Sequence, residues 1–515
     1  MIPVLDSRAM RAADAEAIRR GADPGDLMES AAEALCRELR EALPGARRIA
    51  VVCGPGKNGG DGLAAARILA LGGAAPVVFT LRDPALYSGE AAANAARARS
   101  VGLAIHVLSH PGGHAALRRA LADVDLVLDA LFGTGLSRAL DGVARRAVAA
   151  INAAERRVIA ADLPSGLSAD RGELLGAAVR AWRTVAFAAP KLCHVLPPAS
   201  GLCGRVAIAD IGIARKTLAR HARRIWQTEA ADVAARLPAR PLDSNKGDFG
   251  RLAILAGSRG KPGAAILAAR GALRAGAGLV TVFAPDSAAS SIVASLPEAM
   301  TEPLEQAAPR SLSAFDAAVA GPGLGTAAET VEALERIVRA ARLPLVADAD
   351  ALNAFAGRPG FFAKRRAATV LTPHPGEAGR LLRRSTRAVQ ADRTGSVRAL
   401  ARASRAVVVL KGAHSLIGTP DGEIFVNPTG TPLLATAGSG DVLSGVIGAL
   451  LAGGLSARDA AVAGVWLHGA AGQRLETVLG DAGLLAHEVA DAIPGARRAL
   501  RETENGKRKT EDDGR

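Results

Sequence analysis

The segment TAGSGDVLSGVIGALLAGG, which starts at Thr436, combines a glycine-rich turn with a carboxylate. Gly438, Ser439 and Gly440 precede a predicted helix, and Asp441 lies in its first turn. Backbone N–H groups at a helix N-terminus stabilise phosphoryl oxygens. Asp441 beside them is suited to accept a proton from an attacking hydroxyl, as phosphoryl transfer requires. The same residues are also typical of a glycine-initiated helix whose acidic first turn is stabilised by the helix dipole.

Two further loops of the C-terminal half carry groups suited to a phosphorylated ligand. In VVVLKGAHSLI, Lys411 follows a predicted strand and enters a turn at Gly412, where it can reach nucleotide phosphates. In VLTPHPGEAGRLL, His374 and Glu377 lie where a loop opens a helix. His374 can hydrogen-bond a phosphate or amide, and Glu377 can hold magnesium through water. A single loop histidine is equally typical of a polar surface residue.

In the N-terminal half, IAVVCGPGKNGGDGLAAARIL runs from an apolar strand through a glycine-rich turn into a helix. This geometry presents backbone N–H groups and the positive end of a helix to phosphate. The turn is therefore a candidate anion-binding loop. A tight strand-to-helix connection without a ligand explains the same residues equally well.

Two other predicted strands of this half end in acidic loops. Asp129 comes before Gly133, Thr134 and Gly135 in LVLDALFGTGL, and Asp162 comes before Ser165 in VIAADLPSGL. Ligands of doubly wound sheets bind beyond the carboxyl ends of the strands. Asn58, Asp129 and Ser165 would offer hard oxygen ligands to a cation, and Asp162 is placed for proton transfer. The alternative is that both aspartates cap helices.

Short β-branched runs alternate with longer helical segments in both halves, which predicts βαβ units around parallel sheets and an α/β fold class. The predicted strands of the first half are Ile49–Cys53, Val77–Thr80, Val124–Asp129, Val158–Asp162, Thr184–Ala188 and Val206–Ala209. Those of the second half are Leu252–Ala256, Leu279–Phe283, Ala317–Ala320, Leu345–Ala347, Thr369–Leu371 and Val407–Leu410. A hairpin is predicted through Ser415–Val426, with Asp421 and Gly422 at its turn.

A chain of 515 residues predicts more than one domain, at about 100 to 200 residues each. The segment RKTLARHARRIWQTEAADVAARLPARP has no evident strand-like run and ends among prolines, so we place a linker at 214–240. The domains are then 1–213 and 241–500, and the charged residues 501–515 form a predicted disordered tail.

The net charge of +14 comes mostly from scattered arginines, which is compatible with anionic small molecules and gives little support to nucleic-acid binding. The four cysteines, Cys36, Cys53, Cys193 and Cys203, show neither a CxxC pair nor a disulfide framework, so they are interpreted as thiols in a reducing compartment. The N-terminal segment lacks the apolar core of a signal peptide, and no apolar run is long enough to span a membrane. We expect a soluble cytoplasmic protein that binds neither nucleic acid nor membrane and forms a homo-oligomer.

LMESAAEAL, GPGKNGGDG, DALFGTGL, DLPSG and TVAFAAPK together resemble the NAD(P)H-hydrate epimerase domain over residues 1–213. The resemblance implies a Rossmann-like doubly wound fold and potassium ligands at Asn58, Asp129 and Ser165. It implies that Asp162 takes part in substrate binding and proton transfer. Further substrate contacts are implied at Lys57, Asn58, Gly59, Gly60, Asp61, Gly133, Thr134, Gly135, Leu136, Ser137, Arg138 and Ala139. The family pattern has Asn where this chain has Lys57, which bears on potassium binding.

KGDFGRLAILAGS, AGPGLG, VADADALN, LTPHPGE, KGAHS and AGSGDVLSG resemble the ribokinase-like, ADP-dependent NAD(P)H-hydrate dehydratase domain from about Pro241 to Gly495. The resemblance implies contacts with the hydrated nucleotide at Ala265, Gly323, His374 and Asp441, with Asp441 as the catalytic base. It implies that ADP, with magnesium, contacts Lys411, Gly412, Ala413, His414, Ser415 and Gly440.

The two resemblances imply one function, the repair of hydrated NADH and NADPH. The epimerase interconverts the R and S hydrates, and the dehydratase restores the S form to NAD(P)H as ADP becomes AMP and phosphate. Two alternatives remain. One is a vitamin or sugar kinase that transfers phosphate from ATP. The other is a binding protein whose N-terminal fold serves as an RNA or interaction scaffold.

Overall fold

The computed structural model describes the backbone of residues 1–512 and the side chains of residues 1–502. It divides into two compact units, Ile2–Ile225 and Trp226 onward. The predicted linker residues 214–240 hold two helices and a short strand. The predicted tail overlaps the last helix as far as Asp512, and residues 513–515 lie outside the described part of the chain.

The first unit contains a parallel sheet covered by helices on its faces. The strands of this unit are β1 (Ile2–Pro3), which lies outside this sheet, and β2 (Arg48–Cys53), β3 (Ala75–Thr80), β4 (Ile105–Val107), β5 (Leu126–Ala130), β6 (Arg157–Ala161), β7 (Arg183–Phe187) and β8 (Arg205–Ala209), which form it. Its helices are α1 (Ser7–Arg19), α2 (Pro24–Ala42), α3 (Lys57–Leu71), α4 (Gly89–Ser100), α5 (Gly113–Asp123), α6 (Gly142–Ala153), α7 (Leu192–Val195) and α8 (Arg215–His221). Short 3₁₀ helices occur at Pro84–Leu86 and Ala199–Leu202.

The strand order β4-β3-β2-β5-β6-β7-β8 has its switch point between β2 and β5. Every pair in this sheet is parallel, for example Val51 with Leu128 between β2 and β5. The apolar parts of both central strands, IAVVC in β2 and LVL in β5, are buried because helices cover both faces of the sheet. In such a sheet the crevice for a ligand opens at the switch point, beyond the carboxyl ends of β2 and β5.

The second unit is built on a longer sheet. Its strands are β9 (Ile225–Gln227), which spans the division between the units, β10 (Arg251–Leu255), β11 (Leu279–Ala284), β12 (Met300–Pro303), β13 (Ala317–Ala320), β14 (Leu345–Ala347), β15 (Thr369–Leu371), β16 (Val407–Leu410), β17 (Leu416–Gly418) and β18 (Ile424–Val426). From β18 to β12 the order is β18-β17-β16-β15-β14-β13-β10-β11-β12. The strands from β16 through β12 are parallel, and β16, β17 and β18 pair antiparallel.

The helices of the second unit are α9 (Ala230–Ala234), α10 (Pro262–Ala275), α11 (Asp286–Ser295), α12 (Ala328–Ala340), α13 (Ala349–Asn353), α14 (Pro375–Leu382), α15 (Thr386–Ala391), α16 (Arg393–Ser404), α17 (Ser439–Ala452), α18 (Ala457–Leu479) and α19 (Ala486–Asp512). Short 3₁₀ helices lie at Lys246–Phe249, Leu304–Gln306, Ser311–Ala314, Pro359–Lys364 and Pro432–Leu434. Within residues 1–512 no helix is both long and apolar enough to cross a membrane.

These sheets confirm the predicted α/β class, and all the strands predicted from apolar runs are present within two residues of their expected ends. The predicted hairpin is confirmed as β17 and β18. β4 and β12 were missed because they are short edge strands whose sequences, IHV and MTEP, contain polar residues or proline. β1 and β9 were missed because they have only two and three residues, and β9 shows that the expectation of no strand within 214–240 was wrong.

Candidate active sites

A cavity of about 470 Å³ opens in the first unit at the switch point of its sheet. The loops after β2, β5 and β6 contribute Gly56, Gly133 and Asp162 to its wall, and α1 contributes Asp14. The glycine-rich turn approaches the neighbouring loop closely, since a Cβ at Gly54 would lie 1.8 Å from the Leu131 carbonyl oxygen. The glycine-rich turn therefore lies at the wall of a cavity. A strand-to-helix connection without a ligand would need no such cavity.

Asp162 and Lys191 form a buried ion pair in the wall of this cavity. Lys191 Nζ donates to Asp162 Oδ1 and also to the Phe187 carbonyl oxygen at 2.8 Å. The Phe187 N–H donates to the same Asp162 oxygen at 3.2 Å. Asp162 has a φ of +64°, in the left-handed region that non-glycine residues rarely occupy. Backbone strain of this kind is concentrated at functional sites.

Two more carboxylates share this electrostatic environment. Burial raises the pKa of Asp14, although Lys57 and Lys191 oppose the shift. Burial, reinforced by the charge of Asp162, raises the pKa of Asp61 well above its usual value. A buried group of carboxylates and lysines can hold and exchange protons at the cavity wall.

Asp129 and Ser165 form a separate oxygen cluster behind the loop that follows β5. The Ser165 hydroxyl donates to Asp129 Oδ1 at 2.7 Å, and the Ser165 N–H donates to Oδ2 at 2.8 Å. The Ser165 oxygen also accepts from the Phe132 N–H at 2.9 Å. Burial raises the pKa of Asp129 to about 6, and within the described residues no lysine or arginine forms an ion pair with it. A cation would offset the cost of this buried carboxylate.

The aspartates of the two acidic loops do not cap helices, so that alternative is wrong. The predicted residues Lys57, Asn58, Asp61, Gly133, Thr134, Gly135, Leu136 and Asp162 all line the cavity. Gly59 and Gly60 are buried in α3, and Ser137, Arg138 and Ala139 are exposed farther along the same loop. Asn58 Oδ1 and Asp162 Oδ2 lie 3.0 and 3.2 Å from the point that a Cβ on Gly133 would occupy.

A second cavity, of about 670 Å³, lies in the second unit. The loop after β16 contributes Lys411 through Ser415, the N-terminus of α17 contributes Ser439 and Gly440, and His374 completes the predicted residues there. Gly412 has a φ of +135°, and the Ser415 hydroxyl closes the turn by donating to the Gly412 carbonyl oxygen at 3.0 Å. The loop and the helix terminus predicted to bind nucleotide therefore face one space.

Lys411 is held at this cavity by a carboxylate that follows β14, two strands away in the sheet. Its Nζ donates to Asp348 Oδ1 at 2.8 Å, and the Ser444 hydroxyl donates to Oδ2 of the same carboxylate. Burial alone would lower the pKa of Lys411, but Asp348 and Glu377 outweigh it and raise the pKa. Lys411 therefore stays charged, as contact with phosphate requires.

Asp441 occupies the first turn of α17, whose N-cap Gly438 has the left-handed φ of +86° that glycine favours. Burial, reinforced by Asp348, raises the pKa of Asp441 to about 7. Such a value suits a general base that works near neutral pH. Gly440 brings this helix end against Lys411, since a Cβ there would lie 3.2 Å from Lys411 Nζ.

His374 and Glu377 form a capping box at the start of α14. The His374 N–H donates to Glu377 Oε2 at 2.8 Å, and the Gly376 N–H donates to His374 Nδ1 at 3.0 Å. His374 is half-exposed at the cavity, with its Nε2 3.3 Å from Glu377 Oε1. Burial, with Lys411 nearby, lowers the pKa of His374, which favours the neutral ring.

Three of the predicted contacts, Asp441, Ala265 and Gly323, are not among the residues that line this cavity. Ala265 is fully buried in α10, and Gly323 packs against Ala264, whose Cβ would be 2.9 Å from a Cβ at that glycine. The loop of Gly323 connects to the acidic residues through the Gly325 N–H, which donates to Asp350 Oδ2 at 2.8 Å.

Sequence reasoning missed three groups that the structure places at the sites. Lys191 and Asp348 lie within segments that carried the resemblance, TVAFAAPK and VADADALN, but nothing local marked their side chains. His468 on α18 lines the second cavity, and its Nε2 lies 3.1 Å from the Ser439 hydroxyl oxygen. Each pairs with a residue distant in sequence, so spacing alone gave no signal.

Two family models match the chain. Residues 24–193 match the model described as YjeF-related protein N-terminus, and residues 252–495 match the model described as NAD(P)H-hydrate dehydratase.

Similar proteins cover nearly the whole chain. The bifunctional NAD(P)H-hydrate repair enzyme of Thermofilum pendens is 39% identical over 488 residues, which are 92% of each chain. The protein of the same name from Escherichia coli is 36% identical over 90% of this chain and 88% of its own. A solved structure, the ADP/ATP-dependent NAD(P)H-hydrate dehydratase of Bacillus subtilis crystallised with ATP and Mg²⁺, is 33% identical, covers 53% of this chain and 97% of its own, and has a TM-score of 0.48.

Proposed function

Since the chain belongs to the bifunctional NAD(P)H-hydrate repair enzymes, we propose that its two cavities are the two active sites of this repair. The enzyme combines an epimerase domain with an ADP-dependent dehydratase domain. The cavity of the first unit would bind either epimer of the hydrate. The cavity of the second would bind nucleotide beside the hydrate that is to be dehydrated.

One observation carries the assignment of the dehydratase site: Asp441 lies beside an anion-binding helix terminus and next to Lys411. Asp441 would remove the proton from the hydroxyl of the hydrate while that oxygen takes the β-phosphoryl group of ADP, which releases AMP. Phosphate then leaves as the C–O bond breaks and a proton is lost from the ring, which restores NAD(P)H. Lys411 and the N–H groups of α17 would stabilise the phosphoryl oxygens.

In the epimerase site, Asp162 is the group proposed to move a proton. Its Oδ1 is occupied by Lys191 and the Phe187 N–H, whereas Oδ2 faces Gly133 at the cavity wall. Ring opening, or loss of the hydroxyl to an iminium, would erase the configuration at the hydrated carbon, and the reverse step from either face would give both epimers. Asp162→Asn should then abolish epimerisation.

Potassium fits the oxygens of Asn58, Asp129 and Ser165. Asp129 is a buried carboxylate with no basic partner among the described residues, and the Ser165 hydroxyl oxygen lies 2.7 Å from its Oδ1. A bound cation would supply positive charge that organises the substrate loops. Lys57 is exposed, and its charge acts on Asp14 and Asp61, so it is proposed to leave the cation site intact.

Magnesium fits the second site because carboxylates outnumber basic side chains there. Asp348, Asp350 and Glu377 each raise the pKa of Asp441, and Lys411 opposes them. A divalent ion bound to the ADP phosphates would offset this excess, with Glu377 as its proposed contact through water. The predicted contacts at Ala265 and Gly323, the domain limits of 1–213 and 241–500, and the homo-oligomer remain proposals.

The test supplies an epimeric mixture of hydrated NADH with ADP, magnesium and potassium, and follows absorbance of the dihydronicotinamide. Complete recovery is expected, because epimerisation feeds the dehydratase. Recovery that stops at the share of one epimer would contradict the epimerase assignment. Transfer of phosphate from ATP to a stable product would favour the kinase alternative, and tight, salt-dependent RNA binding without turnover would favour the scaffold.

A further inference from the structure

Arg393, the first residue of α16, lies buried beneath the loop that lines the second cavity. Its Nη1 donates to the Ala413 carbonyl oxygen at 2.6 Å. Its Nη2 donates to the carbonyl oxygens of Leu410 at 3.4 Å and His414 at 3.5 Å. One guanidinium thus binds the carbonyl oxygens of the last residue of β16 and of two residues in the loop Lys411–Ser415.

The charge of Arg393 has no ionic partner in the described part of the chain. No carboxylate lies within ion-pair distance of its guanidinium, and its Nε is buried without a hydrogen-bond partner. Burial lowers the pKa of Arg393 to about 10, so the group is still charged at neutral pH. A buried, unpaired cation is costly to the fold, and that cost falls when an anion binds close to it.

Arg393 lies close to the loop Lys411–Ser415 but outside the cavity that the loop lines. Gly412 approaches it closely, since a Cβ there would lie 3.2 Å from Nη2. Arg393 itself is not among the residues that line the cavity, so it supports the loop from behind. By accepting from Arg393, the loop carbonyl oxygens are turned toward the protein interior, which keeps their negative ends away from bound phosphates.

We propose that Arg393 is a positioning residue for the nucleotide, which fixes the loop Lys411–Ser415 and places an uncompensated positive charge behind it. This inference rests on the proposed nucleotide site and extends it beyond the residues that touch the ligand. Because the guanidinium acts on the loop and not on Asp441, its removal weakens nucleotide binding more than it slows the chemical step.

Arg365 provides a matched control in the same unit. It is partly buried, and this burial lowers its pKa to about 10. It also donates to backbone carbonyl oxygens, those of Leu343 at 2.6 Å and Val338 at 3.2 Å. Arg365 does not line the second cavity and does not contact its loops, so its replacement reports the cost to the fold alone.

The experiment compares Arg393→Lys and Arg393→Gln with Arg365→Lys and Arg365→Gln in the full chain. ADP binding is measured by calorimetry, and dehydration is measured at varied ADP and varied hydrate. For Arg393→Gln we expect the Kd and KM for ADP to rise about tenfold, as for loss of a charge-assisted contact. Arg393→Lys, which keeps the charge, should fall between wild type and Gln. The KM for hydrate and kcat at saturating ADP should stay within about twofold of wild type.

Equal ADP affinity in wild type and both Arg393 variants would overturn the inference, as would an equal loss in the Arg365 variants. If Arg393→Gln does not fold, comparison of Arg393→Lys with Arg365→Lys still decides, since only the former should weaken ADP binding. Wild-type enzyme that fails to dehydrate the hydrate with ADP would instead reject the proposed function, so the two failures are distinguishable.

Discussion

Asp162 and Asp441 are the two predicted catalytic carboxylates, and the charged side chains around them differ. Asp162 is paired with the buried ammonium of Lys191. Asp441 is surrounded mainly by other carboxylates, and burial together with Asp348 raises its pKa to about 7. Two aspartates in one chain are thus prepared for different proton transfers by their neighbours.

The pH dependence of dehydration should report the ionisation of Asp441. Because its pKa is raised to about 7 and the base must be ionised, kcat/KM should rise with pH and level off above that value. Below it the rate should fall about tenfold per pH unit. The measurement is kcat/KM for the hydrate from pH 5 to 9, with stability checked at each pH.

Asp441→Asn is the matching variant. It should abolish dehydration while ADP still binds, and it should raise Tm above pH 7, since it removes a carboxylate that is costly to ionise in the fold. Turnover near the wild-type level would rule out Asp441 as the base.

Replacement of Lys191 should cost both stability and epimerisation. Lys191→Met leaves Asp162 buried without its partner, which costs about 3 to 5 kcal/mol for a broken buried pair. Chemical denaturation of the full chain and the epimerase assay measure the two effects. The double variant Lys191→Met with Asp162→Asn should regain stability without activity, whereas a single variant as stable and active as wild type would contradict the role of the pair.

At the scale of elements, the second site is assembled by three adjacent parallel strands. Asp348, His374 and Lys411 follow β14, β15 and β16, whose registers place Ala347 beside Leu371 and Leu371 beside Val408. Parallel strands end at the same edge of a sheet, so their loops converge there. α17 completes the site because small residues let it pack closely on α10. A Cβ at Gly445 would lie 1.9 Å from the Ala268 carbonyl oxygen, and one at Gly271 would lie 2.5 Å from that of Val442.

Gly445→Ala should therefore separate α17 from α10 and displace Asp441. We expect a loss of stability of about 1 to 3 kcal/mol, as for overpacking of a core, and a larger loss of dehydration than of epimerisation. Gly453→Ala is the control at the end of α17, because the nearest atom to its Cβ would be 3.4 Å away, an ordinary contact. Equal effects of the two substitutions, in unfolding and in both assays, would refute this account.

At the scale of the whole molecule, each of the two compact units contains its own sheet, cavity and candidate base. The two reactions are linked by a substrate, since the epimerase makes the form that the dehydratase consumes. Among the described residues, every residue that lines a cavity belongs to the same unit as that cavity. Each unit can therefore be complete for its own reaction.

Two inactive variants should consequently complement each other. With Asp162→Asn alone, recovery of NADH should stop at the share of one epimer. With Asp441→Asn alone, no NADH should be restored. An equimolar mixture of both should convert the whole epimeric mixture, as followed by dihydronicotinamide absorbance. If recovery of NADH with the two variants together also stops at the share of one epimer, the hydrate does not pass through solution between the sites and this prediction is wrong.

Most of the fold, and the loops that form the candidate sites, could be predicted from the sequence. Apolar runs such as Val407–Leu410 predict buried parallel strands because both faces of the sheet are covered, and glycines mark the turns that bring backbone close to a ligand. Asp441 could be proposed as a base because the glycine turn, the helix start and the carboxylate lie within a few residues of one another. Short edge strands were missed because their side chains are not enclosed on both faces.

Which groups act on one another depends on tertiary packing and could not be predicted from the sequence. Lys191 reaches Asp162 across 29 residues, Lys411 reaches Asp348 across 63, and Ser444 reaches Asp348 across 96. Arg393 holds a loop about 20 residues away, although its position in the sequence marks only the start of a helix. Ionisation depends on burial and on charges within a few ångströms, and those distances are set by packing, not by spacing along the chain.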